Sequence, residues 1–127
     1  MIVSDARVIA FVSDMIGRDI IPPCTAIGIE EADEIVAGVV FNTYSGPDIE
    51  ITVAALPGKV TRGFVRACGR YVFDQLGCLR VSITTEQPEV IRLAYRLGAQ
   101  TEGRKRNGFG PNRDAVILGI LKEDWKL

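Results

Sequence analysis

Between Ile49 and Leu97 the chain reads strand, turn, helix, strand, turn, helix, and this succession restricts the fold more than any other feature. Ile49, Ile51 and Val53 alternate with Glu50, Thr52 and Ala54, the period of a strand with two unlike faces. The alternation lapses at Ala54-Ala55-Leu56 before Pro57-Gly58, so the strand over 49–56 is expected to bulge or splay at its end. Over 61–76, TRGFVRACGRYVFDQL, the residues Phe64, Cys68, Tyr71, Val72 and Leu76 share one helical face, and Gly77 follows as a stop. Gly63 and Gly69 each cost a helix interior about 1 kcal/mol relative to alanine, which predicts a close approach by something else. Leu79, Val81 and Ile83 mark a second strand, and Pro88–Leu97 a helix opened by proline and closed by Gly98. Two strands joined through a helix run parallel, and the connection is expected to be right-handed. Ligands bind where such strands part at their carboxyl ends, which sets Gln87 near whatever occupies Gly58–Gly63.

The flanks complete one α/β domain over residues 1–127. Residues 4–17 read as an amphipathic helix with Ser4 or Asp5 as cap and Gly17 as stop. Strands at Thr25–Glu30 and Glu34–Thr43 precede the one at 49–56, separated by the turns EEAD and YSGPD, which predicts an antiparallel meander. Gln100–Lys105 and Ala115–Leu121 form a last strand pair around the loop NGFGPN. The expected order is α-βββ-α-β-α-ββ, a mixed and mostly antiparallel sheet flanked by helices. No period repeats and no segment is of low complexity.

The chain contains no histidine, which removes Ser-His and Cys-His nucleophiles and the commonest metal ligand. Its three cysteines, Cys24, Cys68 and Cys78, lack CxxC spacing and read as buried packing residues, so neither a disulfide framework nor a bound metal is expected. No apolar run approaches a membrane span, and Asp5, Arg7 and Asp14 interrupt the start, so a cytoplasmic protein is expected. Residues 1–57 hold nine acidic and two basic side chains, net −7, while residues 58–127 hold seven acidic and thirteen basic ones, net +6. The split suits an anion on the second half and a cation on the first; mutual neutralisation of the halves on one surface explains it equally well.

Two stretches offer positive charge to a ligand. In ITVAALPGKVTRGF a helix starts near Thr61; its first N–H groups have no internal partner, and Lys59 and Arg62 stand beside them, an arrangement suited to phosphate. A plain strand-turn-helix connection would look the same. In GRKRNGFGPNR, Arg104, Lys105, Arg106 and Arg113 could grip nucleic-acid phosphates. Only Phe109 could stack there, and the pI of 5.5 argues against a nucleic-acid partner and for a solvated hairpin tip.

Taken together, these segments resemble the GNAT superfamily of acyl-CoA-dependent N-acetyltransferases, from about residue 24 onward. The likeness is clearest in RVSITTEQPEVIRLAYRLGAQTEG and DAVILGILKEDW, and is nearest to the branch that acetylates ribosomal-protein N-termini and to short phage-type members. The family's first strand is missing or very short here, which leaves an edge for a homodimer to cover. The resemblance implies acetyl-CoA as cosubstrate, and transfer of the acetyl group to a primary amine (a protein N-terminus, lysine or small amine) by direct attack. It places Ala55, Gly58 and Val60 at the key positions of the turn that binds the CoA pyrophosphate, of which Gly58 alone matches the family residue. The implied cofactor-binding set is Val53, Ala54, Ala55, Gly58, Lys59, Val60, Thr61, Arg62, Gly63, Gln87 and Arg92. Backbone N–H groups near Val53–Ala55 would meet the acetyl oxygen as it gains charge. Glu50 is the candidate base and Tyr95 the candidate acid, although Tyr95 lies one residue, about 100° of helix, past the family's tyrosine position, which Ala94 occupies. The acidic first half suggests a cationic acceptor. The alternative is a degenerate member that binds CoA, or only a protein partner, without turnover.

Overall fold

A computed structural model describes residues 1–127. The helix α1 (Ala6–Ile16) starts where the Asp5 carboxylate accepts from the Arg7 N–H, and it ends at Gly17 in the left-handed conformation. The strands β2 (Cys24–Glu31), β3 (Glu34–Asn42) and β4 (Glu50–Ala55) form the expected antiparallel meander. The turn between β2 and β3 carries Ala32 and Asp33 at positive φ, as a two-residue hairpin requires. Ahead of them lies a two-residue strand, β1 (Ile2–Val3), paired with β2 at Ile29 and Gly28. The first strand is therefore present but very short.

After β4 come α2 (Arg62–Gly69), β5 (Arg80–Thr85) and α3 (Pro88–Arg96), then β6 (Gln100–Lys105) and β7 (Ala115–Leu121). The seven strands order as β1-β2-β3-β4-β5-β7-β6. β4 and β5 are parallel and all other neighbours antiparallel. One sheet face carries the larger core, in which Phe64, Cys68 and Val72 pack with Val90 and Ala94 on Val39, Phe41, Ile83, Leu118 and Ile120. α1 covers the other face with Val8 and Val12 against Ala26, Val40 and Ala54. The polar edge strand β6, with Glu102, Arg104 and Lys105, offers a poor template for a further strand.

The helix expected over 61–76 is not uniform. It is α-helical to Gly69 and widens into a π-helical turn over Arg70–Gln75. Trp125 lies against it: a Cβ on Gly69 would fall 2.6 Å from the indole nitrogen, and the Phe73 and Trp125 rings meet edge to face at 5.5 Å. The predicted close approach to Gly69 is thus made by the end of the chain, whereas Gly63 faces open space. Cys68 and Cys78 are buried as expected; Cys24 is only half-buried.

Candidate functional site

The parallel seam between β4 and β5 is the least closed part of the sheet. Its register comprises Glu50 with Ser82 and Ile51 with Ile83, and then the strands part. On the other side β4 stays regular against β3 through Ala55, so the strand is splayed from β5 and not bulged. Ser82 N–H donates to the Ile49 carbonyl at 2.9 Å, which fixes the side of β4 that faces β5. By alternation the peptide edges of Val53 and Ala55 face the same way, now into the gap. Gln87 stands across it. Its Nε2 donates to the Val53 carbonyl at 2.9 Å, and its own N–H donates to the Thr85 hydroxyl at 3.0 Å. A side chain thus satisfies the carbonyl that β5 has left behind, and the gap stays open without an orphaned acceptor.

The next turn brings positive charge to one end of the gap. Pro57 and Gly58 sit at the two central positions of the turn Leu56–Lys59, closed by Lys59 N–H to the Leu56 carbonyl at 3.2 Å; Gly58 has φ of 74°, which the third position of a type II turn demands. Thr61 caps α2, its hydroxyl accepting from Phe64 N–H, while Val65 N–H bonds the Thr61 carbonyl. The N–H groups of Arg62 and Gly63 are left without an internal acceptor. Lys59 is partly neutralised by Glu31 at 2.8 Å.

Two hollows flank the gap and share Met15, Val53 and Gln87. A groove of about 650 Å³ runs past Ala55, Gly58 and Val60 to Leu93 and Arg96 of α3. It leads on to a second depression where Arg62, Arg96 and Lys126 converge, none of them in an ion pair. On the α1 side lies a cavity of about 220 Å³ lined by Thr52, Thr84, Thr85, Glu86, Arg18 and Arg113 among others. The hairpin tip between β6 and β7 closes over it: Arg113 makes a two-pronged contact with Glu86 at 3.0 and 2.7 Å, and the Arg18 guanidinium stands 4.5 Å from the Phe109 ring centroid.

No family model matches the chain, and no curated protein resembles it in sequence. Solved structures do match in shape. A dodecameric spermidine N-acetyltransferase from Vibrio cholerae aligns over 97% of this chain and 94% of its own, at 15% identity and a TM-score of 0.74. The same kind of enzyme from Vibrio cholerae, in complex with CoA and spermine, aligns over 80% of this chain and 67% of its own, at 18% identity and a TM-score of 0.65. The chain has the GNAT N-acetyltransferase fold. It spans only 64% of another similar structure, described as an acetyltransferase, at 20% identity and a TM-score of 0.67, covering 80% of this chain.

Within this GNAT fold the residues singled out in the sequence separate into those at the gap and those away from it. Val53, Ala55, Gly58, Val60 and Gln87 line the groove, and Thr61 and Arg62 line its continuation. Ala54 is buried under α1 on the opposite face. Glu50 shares the face of Thr52, one strand period further from the opening, and does not line the cavity. Ala94 is buried in the core. Tyr95, one position on, is turned outward, 49% exposed, and its hydroxyl bonds that of Thr101; it lines neither hollow. Arg92 is likewise outside the groove, exposed beside Glu89 at 3.9 Å. Arg96 lines the groove instead, because Glu89, Leu93 and Arg96 follow one helical face. That periodicity was present in the sequence. The nine acidic residues of the first half do not converge here; Glu86 and Glu89 are the only carboxylates lining the two hollows.

Proposed function

We propose that the chain is an acetyl-CoA-dependent N-acetyltransferase acting on a primary amine. The observation that carries this reading is the splayed β4–β5 seam, where β5 no longer pairs the N–H groups of Val53 and Ala55, next to a helix start whose Arg62 and Gly63 N–H groups have no internal acceptor. Acetyl-CoA as cosubstrate supplies an acetyl thioester. Its pantetheine arm fits the seam as a substitute strand, hydrogen-bonding the β4 edge that β5 no longer pairs. The N–H groups of Arg62 and Gly63 receive the pyrophosphate, and Arg62, Arg96 and Lys126 the remaining phosphate charge.

The amine enters from the α1 side. Its lone pair attacks the thioester carbonyl carbon, and a β4 N–H, of Val53 or Ala55, meets the oxygen as it becomes negative. The C–S bond then breaks, the attacking nitrogen gives its remaining extra proton to water or to the departing thiolate, and the amide forms. An alkylammonium acceptor has a pKa near 10.4 and must first lose a proton, which passes to Glu50 through water. The thiolate, with a typical pKa near 8.5, departs without an acid from α3. This accounts for a fold that buries Ala94 and turns Tyr95 away.

The same placement of Tyr95 supports a second reading, a CoA-binding module without turnover. Thiol release from acetyl-CoA in the presence of primary amines separates the two: steady release supports the transferase, while binding without release supports the module. A nucleic-acid role is weakened by the pairing of Arg104 with Asp114 and of Arg113 with Glu86.

A further inference from the structure

The cavity on the α1 side of the gap carries two arginines and one carboxylate. Glu86 and Arg113 neutralise each other through two short bonds, and the guanidinium holds the Glu86 carboxyl below the usual carboxylate range. Arg18 is the surplus. It forms no ion pair, and its guanidinium rests against the Phe109 ring at the cavity rim. The lining also includes the neutral hydroxyl residues Thr52, Thr84 and Thr85, and no acid from residues 1–57. A polycation entering this space would meet an unpaired positive charge. A ligand with an anionic group would gain a charge-assisted bond there while its amine points toward the gap and the Glu50 face.

We propose that the acceptor is a small primary amine bearing a carboxylate, an amino-acid-like molecule whose anionic group is bound by Arg18. The proposal rests on the acetyl-transfer reading and narrows it. It also reverses the cationic preference expected from the acidic first half, and differs from the substrate named for the Vibrio cholerae enzymes. The cavity of about 220 Å³ suits a ligand of single-residue size.

The test compares free amino acids, their carboxamides and spermidine as acceptors by thiol release, with acetyl-CoA binding followed separately by calorimetry. Carboxylated amines should lead their carboxamides and spermidine by about tenfold in kcat/KM. Arg18→Gln, an exposed position, should raise KM for the carboxylated acceptor about tenfold and erase its advantage over the carboxamide. Spermidine as the best acceptor, or an undiminished preference in Arg18→Gln, would overturn the proposal while leaving acetyl transfer intact. Where acetyl-CoA binds but no amine turns over, the chain has no acceptor, and the acetyl-transfer reading falls and takes the proposal with it. Failure of acetyl-CoA to bind removes the reading on which the proposal stands.

Discussion

Replacement of Gln87 by alanine should both loosen the fold and weaken cosubstrate binding. The carboxamide is part-buried and supplies the only bond seen to the Val53 carbonyl. A hydrogen bond of this kind is worth about 1 kcal/mol net, and more if water cannot replace it. For a chain of this size that corresponds to a fall in Tm of about 3–5 °C. The second consequence is geometric. Without the carboxamide bridging the strands, the β4 edge loses its fixed separation from the β5–α3 corner, and acetyl-CoA affinity should drop about tenfold, or 1.4 kcal/mol. Gln87→Glu sharpens the test, because a carboxylate would face the Val53 carbonyl with no proton to donate and should bind acetyl-CoA more weakly still. Denaturant titration and isothermal calorimetry give the two numbers. A Gln87→Ala protein as stable as the parent, with unaltered acetyl-CoA affinity, would refute the view that this side chain holds the gap.

Other expectations follow from the same geometry. Arg62→Gln with Arg96→Gln should weaken CoA more than a phosphate-free pantetheine thioester, and make CoA binding less sensitive to salt, as read by calorimetry at two ionic strengths. Gly69→Ala forces a methyl group into Trp125 and should cost about 1–3 kcal/mol, partly recovered with Trp125→Leu, by urea denaturation. Glu86 and Glu102 are both held below the usual carboxylate range, by hydrogen bonds from Arg113 and Arg80 respectively. Depressed folded-state values mean stability that is present above the ordinary Glu value of about 4.3 and lost as pH falls through the lower folded values. Glu102→Gln should therefore lower stability near neutrality slightly, by less than about 1 kcal/mol after solvent screening, and flatten the acid limb of a pH–stability curve by the same amount. Burial raises the Cys68 thiol to about 12, so in the native protein a thiol reagent at mildly alkaline pH should leave it unmodified, while half-buried Cys24 reacts first.

What could be read from the sequence was set by local chemistry. The Gly58 turn, the start of α2 at Thr61 and the parallel pairing of β4 with β5 follow from a strand, a Pro-Gly turn and a helix in immediate succession. Counting back from Gly98 put Ala94 at the position of the family's tyrosine, and the structure buries that position. Features that depend on distant partners were not legible. The insertion of β7 between β5 and β6 is one, because a hairpin can present either strand to its neighbour. The π-helical turn is another, and Trp125, which packs against it, lies some fifty residues downstream of Gly69. The bridge from Gln87 to Val53 and the closure of Phe109 over Arg18 likewise join segments far apart in the chain. Charge counting by halves could not show pairing for the same reason: Glu30, Glu31 and Asp48 are paired with Arg7, Lys59 and Arg80.

Amide chemical shifts of the ¹⁵N-labelled protein, followed as acetyl-CoA is added, test the central claim most directly. The account predicts that the largest changes fall on Val53, Ala55, Arg62 and Gly63, the N–H groups at the open seam and in the first turn of α2 that have no internal acceptor. Saturating shifts confined to other regions, such as the Arg104–Arg113 tip, or no shifts at high micromolar concentration, would contradict it.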